Sequence, residues 1–169
     1  MRKINDRIIL GLLTGIIANI PKTLGNEYLY RRGIDKRRFG DLVAGVFLPS
    51  YRVRSKKGTI FGTIGDMFVS SLFGVPLVYL LTYTGKDKTG IKGLMTGLFA
   101  FGLFRGIISR VGISTTYPKD VVTNVMMSAI SSLWGLTAGL LIPLLGNRDL
   151  FEPKPRVQSN PPYNSAELN

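Results

Sequence analysis

Four ionisable residues stand where water is scarce. Lys22, Glu27, Asp66 and Arg105 lie inside long, mostly apolar stretches of the chain. A charge held in hydrocarbon costs about 3 kcal/mol or more, so such residues pair with one another or line a polar cavity. Counted from the end of each stretch nearest the basic segment 31–57, Lys22 is eight residues from Tyr30, Asp66 seven from Thr59 and Arg105 six from Val111. At a helical rise of about 1.5 Å per residue these positions share a depth of roughly 10 Å. The four charges cancel, and Asn19, Asn26, Ser70 and Asn124 lie at neighbouring depths with hydrogen bonds to offer. Lys22 is nearest Asp66 in depth, so the two are expected to face each other. Asn19 and Asn26 share the Lys22 face at i−3 and i+4, and Glu27 or a carbonyl is the expected partner of Arg105. One reading of this cluster is a polar cavity for a solute, an ion or a lipid headgroup. The other is an ion-pair network that only fixes helix register, with Lys22 or Arg105 able to snorkel to the interface.

Catalytic chemistry finds little to work with. The chain has no Cys and no His, which removes thiolate nucleophiles, imidazole acid-base catalysis and the usual zinc and haem ligands. No enzymatic activity, cofactor or metal site is expected. An intramembrane aspartyl protease would need a second embedded Asp, and a rhomboid-like hydrolase a His. The string Tyr83-Thr84-Gly85-Lys86-Asp87-Lys88-Thr89-Gly90 superficially matches a phosphate-binding loop. That pattern would put Gly at the position of Leu80 and Ser or Thr at that of Asp87, so the string reads as a polar turn.

The elements that position the cluster are long and apolar. Of 169 residues 45% are hydrophobic and 19% charged, with mean hydropathy +0.20 and a formal charge of +12. Charges fall in short blocks between apolar runs. Four runs approach the roughly 20 residues needed to cross a bilayer as helix: about 8–30, 59–83, 91–111 and 121–145. The first is interrupted by Pro21-Lys22 and needs Thr23–Tyr30 to complete a crossing. Its basic start also resembles a signal peptide, although Ala18-Asn19-Ile20-Pro21 is a poor cleavage site. The expected architecture is an all-α membrane protein, a four-transmembrane-helix bundle occupying residues 1–146. Residues 147–169, with Pro153, Pro155, Pro161 and Pro162, are expected to form a disordered polar tail.

Between the first two runs lies a basic segment carrying Arg31, Arg32, Lys36, Arg37, Arg38, Arg52, Arg54, Lys56 and Lys57. Within it Phe39, Leu42, Val43, Val46 and Phe47 recur at helical spacing. Asp35 can cap the start and Pro49 follows the end. The spacing predicts an amphipathic helix over about 36–48, lying in the headgroup region with its cations on anionic lipid phosphates, or packed on the end of the bundle. Anionic headgroups account for the basic balance better than nucleic acid, for which no motif is present. The expected setting is a multi-pass cell membrane protein, in bacteria the inner membrane, with a membrane protein or a second copy as its partner. Basic residues are nearly balanced across the two sides, and the density of 31–57 favours placing that segment in the cytoplasm.

The chain also reads as an internal duplication. Gly11-Leu12-Leu13-Thr14-Gly15-Ile16-Ile17-Ala18 aligns with Gly93-Leu94-Met95-Thr96-Gly97-Leu98-Phe99-Ala100, and Ser70-Ser71-Leu72-Phe73-Gly74 with Ser131-Ser132-Leu133-Trp134-Gly135, in the same order. Two helical hairpins repeated in parallel about an axis along the membrane normal would produce this. Small residues four apart (Gly11/Gly15, Gly58/Gly62, Gly93/Gly97, Gly102/Gly106, Ser131/Gly135/Gly139) permit close helix approach.

The runs Asn19-Ile20-Pro21-Lys22-Thr23, Asp41-Leu42-Val43-Ala44-Gly45-Val46-Phe47 and Thr84-Gly85-Lys86-Asp87 leading to Lys92-Gly93 resemble a group of small bacterial membrane proteins of the YqhR-like or YagU-like kind, over residues 8–146. The resemblance implies a four-span membrane fold and brings no activity or cofactor. Those relatives tend to carry a His in the last span, where this chain has Ser131-Ser132-Leu133-Trp134, so no His-dependent function carries over.

Overall fold

The computed structural model describes residues 3–111 and 120–151, and among them every extended element is helical. Four long helices, α1 (Arg7–Arg31), α4 (Lys56–Thr84), α5 (Thr89–Val111) and α6 (Val121–Leu145), are accompanied by the short α2 (Phe39–Phe47) and α3 (Ser50–Val53). Three of them, α1, α4 and α6, are long and apolar enough to cross a membrane. Helix α1 runs unbroken through Pro21, as α4 does through Pro76 and α6 through Pro143. Asp6 caps α1 by accepting from the N–H groups of Ile8 and Ile9, and Ser55 caps α4 through Gly58, so two orphan donors of the first turn of α1 and one of that of α4 are satisfied.

Helix α1 packs on α4, α5 on α6, and α1 on α6, whereas α4 and α5 barely meet. The first two contacts are backbone against backbone. A Cβ at Gly74 would run into the carbonyl of Gly11, and one at Gly11 would come to 2.5 Å from Val75 Cα; likewise a Cβ at Gly135 would strike the Gly93 carbonyl, and one at Gly97 that of Ser131. Only glycine allows these crossings. At Gly102 a Cβ would meet nothing within 4 Å, so that position in the sequence pattern sits at no helix contact.

Apolar packing forms two clusters. Near the chain ends, Leu10, Leu77, Leu81, Trp134, Ala138 and Ile142 pack with Phe151; near the other end, Phe39 and Leu42 pack with Phe101 and Met127. The outward faces of the helices are apolar as well, with Phe68 63% and Phe99 68% exposed. A water-soluble fold would turn such faces inward, whereas lipid tails accept them.

Three expectations change. Residues 147–151 belong to the folded unit: Asn147 N–H donates to the Ile4 carbonyl, a 3₁₀ turn spans Arg148–Leu150, and buried Phe151 fills the space beside Leu10 and Gly146. The remaining tail residues, 152–169, lie outside the described residues. The helix expected over 36–48 starts at Phe39, and its cap is Arg38 together with Asp41 at the third position, not Asp35. Its apolar stripe also splits: Phe39, Leu42 and Val43 are buried with Asp41, Ala44 and Gly45, while Phe47 is 70% exposed. The cause is Gly40, whose carbonyl abuts Gly62 of α4, so that the small-residue face of α2 determines its rotation and lays it on the bundle.

Candidate functional site: a buried ion pair between two clefts

Lys22 and Asp66 meet. The Lys22 ammonium donates to Asp66 Oδ1 at 2.6 Å and to Ser70 Oγ at 3.0 Å, and both charged residues are 5% exposed. The Ser70 hydroxyl in turn donates to Asn19 Oδ1 at 3.0 Å. Lys22 Nζ also sits 4.4 Å from the centre of the Phe39 ring, a cation–π distance. Lys22 and Asn19 reach inward from one face of α1, Asp66 and Ser70 are one turn apart on α4, and α2 brings its first residue over the pair.

Two clefts adjoin at Asp66. The inner one, about 380 Å³ including its open mouth, lies among the four long helices where α4 and α5 diverge; Lys22, Asp66, Ser70 and Ser131 supply its polar wall, and Phe39, Phe73, Phe101, Phe104 and Trp134 its aromatic one. The outer one, about 400 Å³ on the same measure, runs from Asp66 past Thr63 and Thr59 to Glu27, Arg38 and Asp41. Phe39 borders both. Trp134 is further held by its indole N–H, which donates to the Gly15 carbonyl at 3.1 Å.

The remaining residues of the expected cluster go elsewhere. Glu27 pairs with Arg31 at 2.8 Å and stands 3.7 Å from Arg38. Asn26 does not support Lys22: it accepts from the Phe39 backbone N–H at 2.8 Å and donates to Asp35 Oδ2 at 2.9 Å, binding the α1–α2 connection to α1. Arg105 and Asn124 line a separate open groove between α5 and α6, with Phe101 standing between it and the inner cleft.

Nor do the basic residues form one uniform lipid-facing set. Arg31, Arg32, Arg52, Arg54, Lys56 and Lys57 are exposed, and Arg37 is half-buried. Arg38 turns into the outer cleft, bonding Asp41 at 3.3 Å and Thr59 at 3.1 Å and stacking on Tyr30. Lys36 pairs with Asp120 at 3.2 Å, and its backbone N–H donates to Thr123 Oγ1, so the α1–α2 connection docks on the start of α6. Arg38 was expected on lipid phosphates and instead enters the outer cleft, and Asp41 was not expected at a site; the Arg-x-x-Asp spacing at the start of an apolar helix was the available signal for both.

Burial pushes the Asp35 carboxyl above the ordinary carboxylate range, partly offset by the hydrogen bond from Asn26. Replacing Asp35 by Asn retains that acceptor and removes a buried charge. Asp35→Asn is therefore expected to keep or raise the unfolding midpoint at pH 7, while Asn26→Leu lowers stability by about 1–3 kcal/mol by stripping two partners. The Asp120 carboxyl moves the other way, held below its ordinary 3.8 first by the Thr123 backbone N–H and then by Lys36 and the Thr123 hydroxyl. A depressed carboxyl stabilises the fold above its unfolded value and loses that contribution as pH falls through the folded one. The midpoint difference between wild type and Asp120→Asn should be full at pH 6 and shrink below pH 3.8.

No protein-family model, curated protein or solved structure matches the chain.

Proposed function

We propose that this is a non-catalytic integral membrane protein of four spans, set in a cell membrane such as the bacterial inner membrane, that binds a small polar or amphiphilic molecule in the cleft beside Lys22 and Asp66. The observation that carries the reading is a buried ion pair forming the wall of a cleft that the helices leave unfilled. A pair needed only for packing would be enclosed by side chains. Here α4 and α5 diverge beside it, and the half-buried Val69, Phe73 and Phe104 border the gap.

Helix α5 serves as the fourth span in this reading: it has 23 residues and crosses α6 through Gly93 and Gly135 as α1 crosses α4 through Gly11 and Gly74. That matched pair of crossings also supports two parallel hairpin repeats. The exposed cations at the ends of α1, α3 and α4 would lie at anionic headgroups.

A second reading, in which the pair only pins helices, draws on the Lys22 ammonium, whose bonds to Asp66 and Ser70 and place over Phe39 leave it no unmet need. Ala100 separates the two, because it is buried and borders the inner cleft. Ala100→Leu would fill the cleft without touching the pair. Native mass spectrometry of protein released from its membrane should show a small-molecule adduct on the wild type that Ala100→Leu lacks. Adduct-free spectra for both would favour the pinning role.

A further inference from the structure

Lys22 and Asp66 differ in what they still have to offer. The ammonium has three N–H groups; two are spent on Asp66 and Ser70, and the cation lies over the Phe39 ring. Asp66 receives one donor, on Oδ1, and among the described residues nothing donates to its other oxygen. The open valence of the site is thus an acceptor on a carboxylate. The inner cleft itself holds one cation and one carboxylate, Lys22 and Asp66, and the cation is already met by Asp66, Ser70 and the Phe39 ring. In a medium of low dielectric an anionic ligand would be repelled by the carboxylate oxygen that still lacks a donor, whereas a cationic donor would be attracted to it. The rest of the wall is aromatic, and ring faces stabilise cations while accepting apolar bodies; Lys22 on Phe39 is one such contact already in place.

From these features we infer that the inner cleft takes an organic monocation, an ammonium with an aromatic or compact apolar body. Its N–H groups donate to the free oxygen of Asp66, and its body lies against Phe73, Phe101, Phe104 and Trp134. This inference rests on the cleft being a binding site, as proposed above, and adds the charge and class of the ligand. The amine could belong to a soluble molecule or to a lipid headgroup of the ethanolamine type.

Trp134 is the single tryptophan of the chain and borders the cleft, so its fluorescence reports occupancy. The full chain in phosphatidylglycerol nanodiscs would be titrated with benzylammonium, benzyl alcohol and benzoate, three probes of nearly one shape and different charge. Benzylammonium should give a saturable change at least about tenfold tighter than the alcohol, a margin of about 1.4 kcal/mol, and benzoate none. Asp66→Asn should remove the benzylammonium response. Phe104→Leu, which leaves the ion pair alone, should weaken the cation about 2–5-fold without changing the alcohol, and stands in should Asp66→Asn fail to fold. Phosphatidylethanolamine in the nanodisc should weaken benzylammonium if a lipid amine is the occupant and leave it unchanged if a soluble amine is; either result keeps the ammonium. Saturable benzoate, or alcohol as tight as the ammonium, would overturn the inference while leaving a binding cleft. If none of the three saturates, the cleft is no binding site and both readings fall.

Discussion

Lys22→Met and Asp66→Leu should each cost about 3–5 kcal/mol in unfolding free energy, and the double variant should recover much of that loss. Removing either partner leaves the other charge with nothing to neutralise it, and at 5% exposure neither is hydrated enough to make up the loss. Removing both takes away the attraction and the desolvation penalty together, and Met and Leu fill similar volume. Ser70 tempers the effect in one direction: after loss of Asp66 the ammonium keeps its bond to Ser70 Oγ and its place over Phe39, so Asp66→Leu should be the milder single variant. A thermodynamic cycle by reversible denaturant unfolding in mixed micelles measures the coupling directly. Two harmless single variants, or a double variant as damaged as the sum of the singles, would show that the pair carries no coupling.

The second large effect belongs to the helix crossings. Gly74→Leu and Gly135→Leu should each destabilise the bundle by at least about 2 kcal/mol, because the new side chain meets a backbone carbonyl, of Gly11 or of Gly93, that cannot rotate away. Gly102→Leu, made on the same helix type where a Cβ meets nothing within 4 Å, should change stability by less than about 0.5 kcal/mol. Comparable losses at Gly74 and Gly135 would mean that both hairpins are held by the same kind of crossing, as a duplication requires. The same unfolding assay reads all three variants.

Depth along a helix was legible in the chain; rotation about it was only partly so. Counting residues from the basic segment placed Lys22 and Asp66 at one level, and the Gly11/Gly15 spacing showed where α1 could approach a neighbour closely, which together bring the pair into contact. The same count placed Arg105 at that level, but level does not say which groove a side chain enters, and it lies between α5 and α6 instead. Asn26 shares a helical face with Lys22, yet the connection leading to α2 folds back over it and takes both its hydrogen bonds. Spacing at i+4 cannot anticipate a competitor that arrives from thirteen residues away. Helix α2 departs from its stripe at one end for a related reason. Phe39, Leu42 and Val43 are on the buried face as the spacing suggests, but Phe47 is exposed, because Gly40 against Gly62 permits a closer approach than any large side chain does, and backbone proximity set the rotation. Phe151 escaped notice because one aromatic among prolines and polar residues carries no periodicity, although Gly146 leaves room for its ring.

The bundle is apolar outside and open inside, beside a buried ion pair. Single cysteines introduced at Phe68 and Val69 test this arrangement, since the chain has none of its own. Phe68 is on the outer face, and Val69, its immediate neighbour, borders the inner cleft. A small hydrophilic methanethiosulfonate reagent applied to native membranes should label Val69→Cys readily and Phe68→Cys hardly at all, because lipid covers the one and the cleft admits reagent to the other. Rapid labelling at Phe68→Cys with little at Val69→Cys would show the opposite arrangement, a water-exposed surface around a closed interior.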